Sequence, residues 1–342
     1  MKVDIWNIKE SVSVLKANAL GTLPSLLIAF FMMSCGKEKS DVNPDKIFSV
    51  GQSVRINDIR TLNDSVWIAC GGTREEVGFF FRTENAGITW TQQQTQFPRS
   101  VYCLDFLNDR IGMAGGDYLD LWTTNDGGIS WTFYWLGDQV PFNEEDRPGV
   151  RNIRMVNDSN WIFCGGENLG EGVVYQSTNS GVNWRFIFQQ HEFRAMDFTQ
   201  GNKAVIAGHG KSLVFDQEIE NITSGDFRDD FMTSLVCLSD ERCVGVSYDG
   251  AIYISDNTGL NWNKLERAIS AKGKRKNWNE IIILNDVLYA VGNEGALAKS
   301  HDTGNTWEFA TLEGEPNLYA IAQIGSELLA ASDQGRVFRI DW

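Results

Sequence analysis

Short apolar segments recur along the chain in pairs, each segment closed by polar turn residues. RINDIRTLN with SVWIACGG, VYCLDFLND with RIGMAGG, and RNIRMVND with NWIFCGG are three successive pairs. FRAMDF with AVIAGHG, SLVCLSD with CVGVSYDG, EIIILND with LYAVGNEG, and NLYAIAQ with ELLAASDQG repeat the arrangement. Their shortness, their β-branched and aromatic residues, and their Asn-Asp and Gly borders predict strands rather than helices. The repeat length is roughly 40 residues, which marks a repeat architecture.

A second signal lies between these pairs. TENAGITW (83–90), TNDGGISW (124–131), STNSGVNW (177–184), SDNTGLNW (255–262) and SHDTGNTW (300–307) share one spacing. Each has Ser or Thr at its first position, counted back from the Trp, then Asp or Asn, then Gly. An Asx side chain bonds backbone about two residues on, and Gly supplies the positive φ of a reversal. The Trp then opens a return strand with a large surface to bury. Asn85 with Trp90, Asp126 with Trp131, Asn179 with Trp184, Asn257 with Trp262 and Asp302 with Trp307 are read as structural.

Lined up on these octapeptides, the chain divides into seven units of four strands, a to d. Unit four has lost its octapeptide, with Asp216 and Ile222 as the remnant. Unit seven ends without strand d, and the orphan segment KIFSVGQ (46–52) can supply it. The expectation is all-β: a seven-bladed β-propeller of four-stranded antiparallel blades over 46–342, its ring closed by an N-terminal strand completing the last blade.

The octapeptides resemble the Asp-box, or BNR, repeat of sialidase-like propellers. The unit number, the Gly-Gly after strand b and the N-terminus look most like the photosystem II stability/assembly factor-like family. That resemblance implies a non-enzymatic propeller that binds or chaperones membrane-protein partners.

Residues 1–35 read as a signal peptide: Lys2, Lys9 and Lys16 precede the apolar run LPSLLIAFFMMS, too short for a mature membrane span. Met32-Met33-Ser34-Cys35 resembles a bacterial lipobox, which makes Cys35 the lipidation site and the cell envelope the location. An ordinary signal peptide or a buried N-terminal helix is the alternative. Residues 36–45 are polar and read as a tether. The net charge of −15 argues against nucleic acid as a partner. Cys70 and Cys164 read as small core residues. Cys237 and Cys243 flank a short turn and can form a cross-strand disulfide in an oxidising compartment. With three His and no CxxC, no metal or cofactor is expected.

Alternation of turns puts the octapeptides on one face of the ring and the b–c and d–a loops on the other, where a binding funnel is expected. Acids recur in or near the b–c loops: Glu75 beside Arg74, Asp117, Glu167, Asp249, Glu294 and Asp333, with His209 in unit four. Turn chemistry alone explains several of them; an acidic rim for a basic partner is the functional reading. Two long d–a loops add candidates: Phe142 and Glu144 in 136–151, and Lys272, Lys274, Arg275 and Trp278 in 266–280. The expected role is a monomeric, non-enzymatic scaffold for a protein or extracellular glycan. The alternative is a divergent sialidase-like glycoside hydrolase, which needs three converging arginines or two carboxylates about 5–10 Å apart beside a cleft.

Overall fold

A computed structural model describes residues 42–72, 77–95, 99–134, 136, 147–188, 190–216, 221–267 and 276–342. Strand β1 (Lys46–Ser49) is followed by β2 (Ile56–Thr61), β3 (Trp67–Gly71), β4 (Phe79–Thr83) and β5 (Thr91–Gln94). Next come β6 (Val101–Phe106), β7 (Gly112–Gly116), β8 (Leu121–Thr124) and β9 (Thr132–Tyr134). The third group is β10 (Gly149–Met155), β11 (Trp161–Glu167), β12 (Glu171–Ser177) and β13 (Arg185–Phe188). Then follow β14 (Phe193–Phe198), β15 (Ala204–Phe215), β16 (Thr223–Cys237), β17 (Cys243–Ser247), β18 (Ala251–Ser255) and β19 (Asn263–Arg267). The chain ends with β20 (Trp278–Leu284), β21 (Val287–Gly292), β22 (Ala296–Ser300), β23 (Glu308–Thr311), β24 (Leu318–Ile324), β25 (Glu327–Ser332) and β26 (Arg336–Ile340).

All pairings within the sheets are antiparallel, as expected, but the count of seven blades is corrected. The strands form five four-stranded blades and one six-stranded sheet, β14-β15-β16-β17-β18-β19. Units four and five run together there. No long loop separates the second strand of unit four from its third, or its last strand from the next unit. The 12-residue β15 and the 15-residue β16 therefore continue through positions where other units turn. Asp230, inside β16, holds that run in place. It accepts the amide of Phe231 (2.8 Å) and the hydroxyls of Ser247 (2.9 Å) and Tyr253 (2.7 Å).

The last blade has the order β1-β26-β25-β24, so the N-terminal strand supplies its outer member. Phe48 of β1 packs edge-on against Trp67 of the first unit at 5.4 Å. One short strand thus pairs with the last blade by backbone and with the first by side chain. Val42 and Asp45, within the expected tether, are already bonded to Thr311 and Arg339 carbonyls.

The octapeptide turns share one backbone scheme, to which only Trp90 and Trp307, among the described residues, add an indole bond to the glycine carbonyl. At 300–307 the Ser300 hydroxyl accepts the amides of Asp302 (3.4 Å) and Gly304 (2.9 Å). Asp302 accepts the Thr306 amide at 2.8 Å, and Trp307 Nε1 donates to the Gly304 carbonyl at 2.9 Å. Gly304 sits at φ +90°, where a side chain is strained. The first hydroxyl, rather than the Asx residue, thus carries the bond two residues on. Thr83, Thr124, Ser177 and Ser255 repeat it. Trp131, Trp184 and Trp307 are buried; Trp90 and Trp262 are half-buried.

The sequence leaves a disulfide open between Cys237 and Cys243, and the structure contains it. Cys70, Cys103 and Cys164 are free and buried.

Candidate functional site

The first strand of each unit faces the centre: β2, β6, β10, β14, the second half of β16, β20 and β24 all line one cavity of about 490 Å³. A strand presents alternate side chains to its two faces. Ile59, Leu104, Ile153, Met196, Leu235, Ile281 and Ile321 are buried between units, which leaves the intervening polar residues to the channel.

These inner strands are stitched to one another by side chains. Asp58 accepts the Leu104 amide at 2.8 Å, Asp105 the Met155 amide at 2.6 Å, and Asp197 the Cys237 amide at 2.8 Å. Glu280 accepts the Ile321 amide at 2.7 Å. In the other direction, Asn57 donates to the Val101 carbonyl (2.7 Å), Thr233 to that of Trp278 (2.9 Å) and Asn279 to that of Leu318 (2.6 Å). Thr61 closes the circle onto Gln323 at 2.7 Å. The channel carboxylates are therefore interblade acceptors. Arg60 bonds Asp58 and lies 3.9 Å from Glu280. Glu280 keeps 19 % exposure to the lumen, yet burial, then the Asp58 charge, push its carboxyl up to about 7 against the pull of Arg60. Burial raises Asp58 as well.

At the end of the channel where these strands begin, the character changes. Arg55, Arg151 and Arg194 all line the cavity. Each guanidinium lies over an aromatic ring of a neighbouring unit: Arg55 over Tyr319 (4.7 Å), Arg151 over Tyr102 (4.1 Å) and Arg194 over Phe231 (4.6 Å). A cation stacked this way keeps its N–H edge available while its face is covered. Glu192, 2 % exposed, anchors two of them. It accepts from Arg194 Nε at 2.9 Å and Nη2 at 2.8 Å, and lies 3.7 Å from Arg151. Burial lowers the pKa of Arg194; Glu192 opposes this, while Arg151 and Arg55 add to it. Arg194 thus feels the charge of the other two across the mouth.

Most of the described sequence-selected residues do not line this cavity. Two border the mouth: Asp333 lines a pocket with Arg55 and Tyr319, and the Asp117 carboxylate accepts the Tyr102 hydroxyl at 2.6 Å and so supports the ring beneath Arg151. The turn at Asp117 holds Tyr118 and Leu119 at φ 58° each. There Asp120 bonds Arg99 at 2.9 Å, and burial pushes the Asp120 carboxyl up to about 6 against that pull. His209 Nδ1 meets the Leu169 carbonyl at 3.1 Å. Glu167 pairs with Glu171 across a tight b–c hairpin. The Asp249 amide donates to Asp230 at 3.4 Å. Asn317 joins two others, accepting the Glu294 amide at 3.0 Å and donating to Asp333 at 2.8 Å. Trp278 is fully buried and stacks on Phe309. Cys35, Arg74, Glu75, Phe142, Glu144, Lys272, Lys274 and Arg275 lie outside the described residues. Among the described residues no group of His, Cys, Asp or Glu is arranged to hold a metal.

No local motif singles out the mouth arginines: Arg55 stands just ahead of β2, and Arg151 and Arg194 sit inside β10 and β14. For Arg151 and Arg194 the available signal is columnar: aligned, the inner strands carry Asn57, Tyr102, Arg151, Arg194, Thr233, Asn279 and Tyr319 at one position, and Arg55 stands two residues ahead of it.

No family model and no curated protein matches the sequence. Solved structures do match in fold. "YCF48 bound to D1 peptide" superposes with a TM-score of 0.68 at 17% identity, over 90% of this chain and 98% of that one. "YCF48 from Cyanidioschyzon merolae" gives 0.65 at 14% identity, over 86% and 98%. The "WD40 beta propeller domain of Doa1" gives 0.62 at 11% identity, over 88% and 96%. The chain is similar to these propellers in architecture, and it shares that architecture across proteins of different names.

Proposed function

We propose that this chain is an exported, lipid-anchored, non-enzymatic propeller that binds a protein partner, taking an acidic segment of it at the channel mouth. The observation that carries the reading is the convergence of Arg55, Arg151 and Arg194 on one cavity, where Glu192 already shows a carboxylate beside Arg151 and Arg194. Guanidiniums whose faces are covered by rings offer their N–H edges to carboxylates, as Arg194 does to Glu192. A propeller of similar fold has been captured with a peptide, which supports a peptide-sized ligand. The Cys237–Cys243 disulfide supports an oxidising compartment, in line with lipidation at Cys35.

The test is fluorescence anisotropy of the full chain with a Glu-rich peptide and a Lys-rich control. Selective binding of the acidic peptide, lost in Arg151→Gln/Arg194→Gln, supports the reading; equal binding of both, or no effect of the double variant, rejects it. Acylation is tested separately, by fatty-acid labelling that Cys35→Ala should abolish.

Three arginines would equally suit a carboxylated sugar, so hydrolysis is the second reading. Among the described residues, Tyr102 bonds Asp117 and Tyr253 bonds Asp230, and the channel carboxylates are engaged between blades. Turnover of a fluorogenic sialoside, abolished by Arg194→Gln, would favour the enzyme.

A further inference from the structure

The octapeptide turns display a side chain that their own geometry does not require. In the first three units the residue after the glycine is β-branched and strongly exposed: Ile88 at 68 %, Ile129 at 63 % and Val182 at 66 %. Single exposed aliphatics are ordinary on a protein surface. Three at one structural position on adjoining units form a patterned surface. The turns are tied in sequence, since Arg82 Nε donates to the Gly127 carbonyl at 3.0 Å and the Tyr134 hydroxyl donates to that of Gly181.

Beside each aliphatic lies the tip of an a–b turn, held there by an amide bond: Ala86 to Ser65, Gly127 to Arg110 and Ser180 to Ser159. Those tips are Asn-Asp turns. Asn63, Asn108 and Asn157 accept the turn amides, and the following Asp64, Asp109 and Asp158 are exposed. Their carboxylates serve no turn and meet no cation among the described residues. Among the described residues the other units lack this pairing. Unit four has no octapeptide, Leu260 is packed against the core of units four and five, and Asn305 is polar and bonded by Arg242 at 2.6 Å.

We infer that this arc over units one to three is a docking surface for a basic protein segment carrying spaced apolar side chains. It lies on the face opposite the channel mouth and does not depend on the reading of that mouth. Charge decides the occupant. The unpaired carboxylates complement lysines or arginines, whereas a second copy of the chain or an anionic bilayer would bring like charges together.

The experiment compares two fluorescent twelve-residue peptides, one alternating Lys and Leu and one alternating Lys and Ser, on the full chain. The variants are Ile88→Ser/Ile129→Ser/Val182→Ser and Asp64→Asn/Asp109→Asn/Asp158→Asn. All six positions are exposed, so Tm should stay close to that of the parent. The Lys-Leu peptide should bind about tenfold tighter than the Lys-Ser peptide, and the serine variant should erase that difference. The asparagine variant should weaken both peptides and flatten their salt dependence. Equal binding of both peptides to the parent, or a serine variant indistinguishable from it, overturns the inference. Dimerisation, or uptake by phosphatidylglycerol vesicles, that the serine variant abolishes would overturn the basic-segment occupant.

Discussion

The guanidinium of Arg151 lies 4.1 Å from the ring centre of Tyr102, and the hydroxyl of that tyrosine is bonded to Asp117. A residue of one unit is thus seated on the neighbouring unit, whose b–c turn steadies the seat. Arg151→Gln should weaken an acidic peptide about tenfold to a hundredfold, the loss expected for charge-assisted bonds. Tyr102→Phe keeps the ring and loses the hydroxyl, so it should cost less than Arg151→Gln. Anisotropy titrations at fixed salt would rank the two.

The channel network predicts a pH dependence of stability. Glu280 titrates near 7 in the fold, above the ordinary carboxylate value, so the folded chain holds a proton that the unfolded chain releases. Its contribution is fully present below the unfolded pKa of about 4.3 and is lost as pH rises through 7. Asp120, near 6, acts in the same direction. Glu280→Gln retains an acceptor for the Ile321 amide without the titration. The Tm of the parent relative to this variant should therefore fall between pH 5 and 8, by a few degrees; a flat difference would count against the assignment.

Ring closure rests on Phe48, buried against Trp67. Phe48→Ala should cost about 3–5 kcal/mol in chemical denaturation, because it loosens the first blade as well as the last.

Trp307→Ala should cost a similar amount, about 3–5 kcal/mol, since it empties a buried site and frees the Gly304 carbonyl. Peptide binding in the surviving folded fraction should be unchanged, because the octapeptide turns lie opposite the mouth. Lost binding at intact stability would make this turn a site.

Cys237 and Cys243 are directly paired across β16 and β17, so the disulfide closes a short loop. Replacing both by Ala should lower stability by about 2 kcal/mol, the loop-entropy expectation for so short a closure. A reducing agent should lower the Tm of the parent and leave the double variant unmoved.

What the sequence determined is local. Strands, Asn-Asp turns, the five octapeptides and the N-terminal strand of the last blade were legible, because each depends on neighbours within a few residues or on a repeated spacing. The disulfide was left open because spacing alone does not set the distance between two side chains. Tertiary structure decided two things. Units four and five share one sheet because β15 and β16 meet no loop to stop them; the missing octapeptide hinted at an irregular unit without saying that its sheet would merge. The mouth exists only when the ring closes. Arg55, Arg151 and Arg194 are far apart in sequence, the first just ahead of β2 and the others inside β10 and β14. Only closing the ring around a narrow channel turns those inward faces toward one point and makes three separate positions into one cationic site.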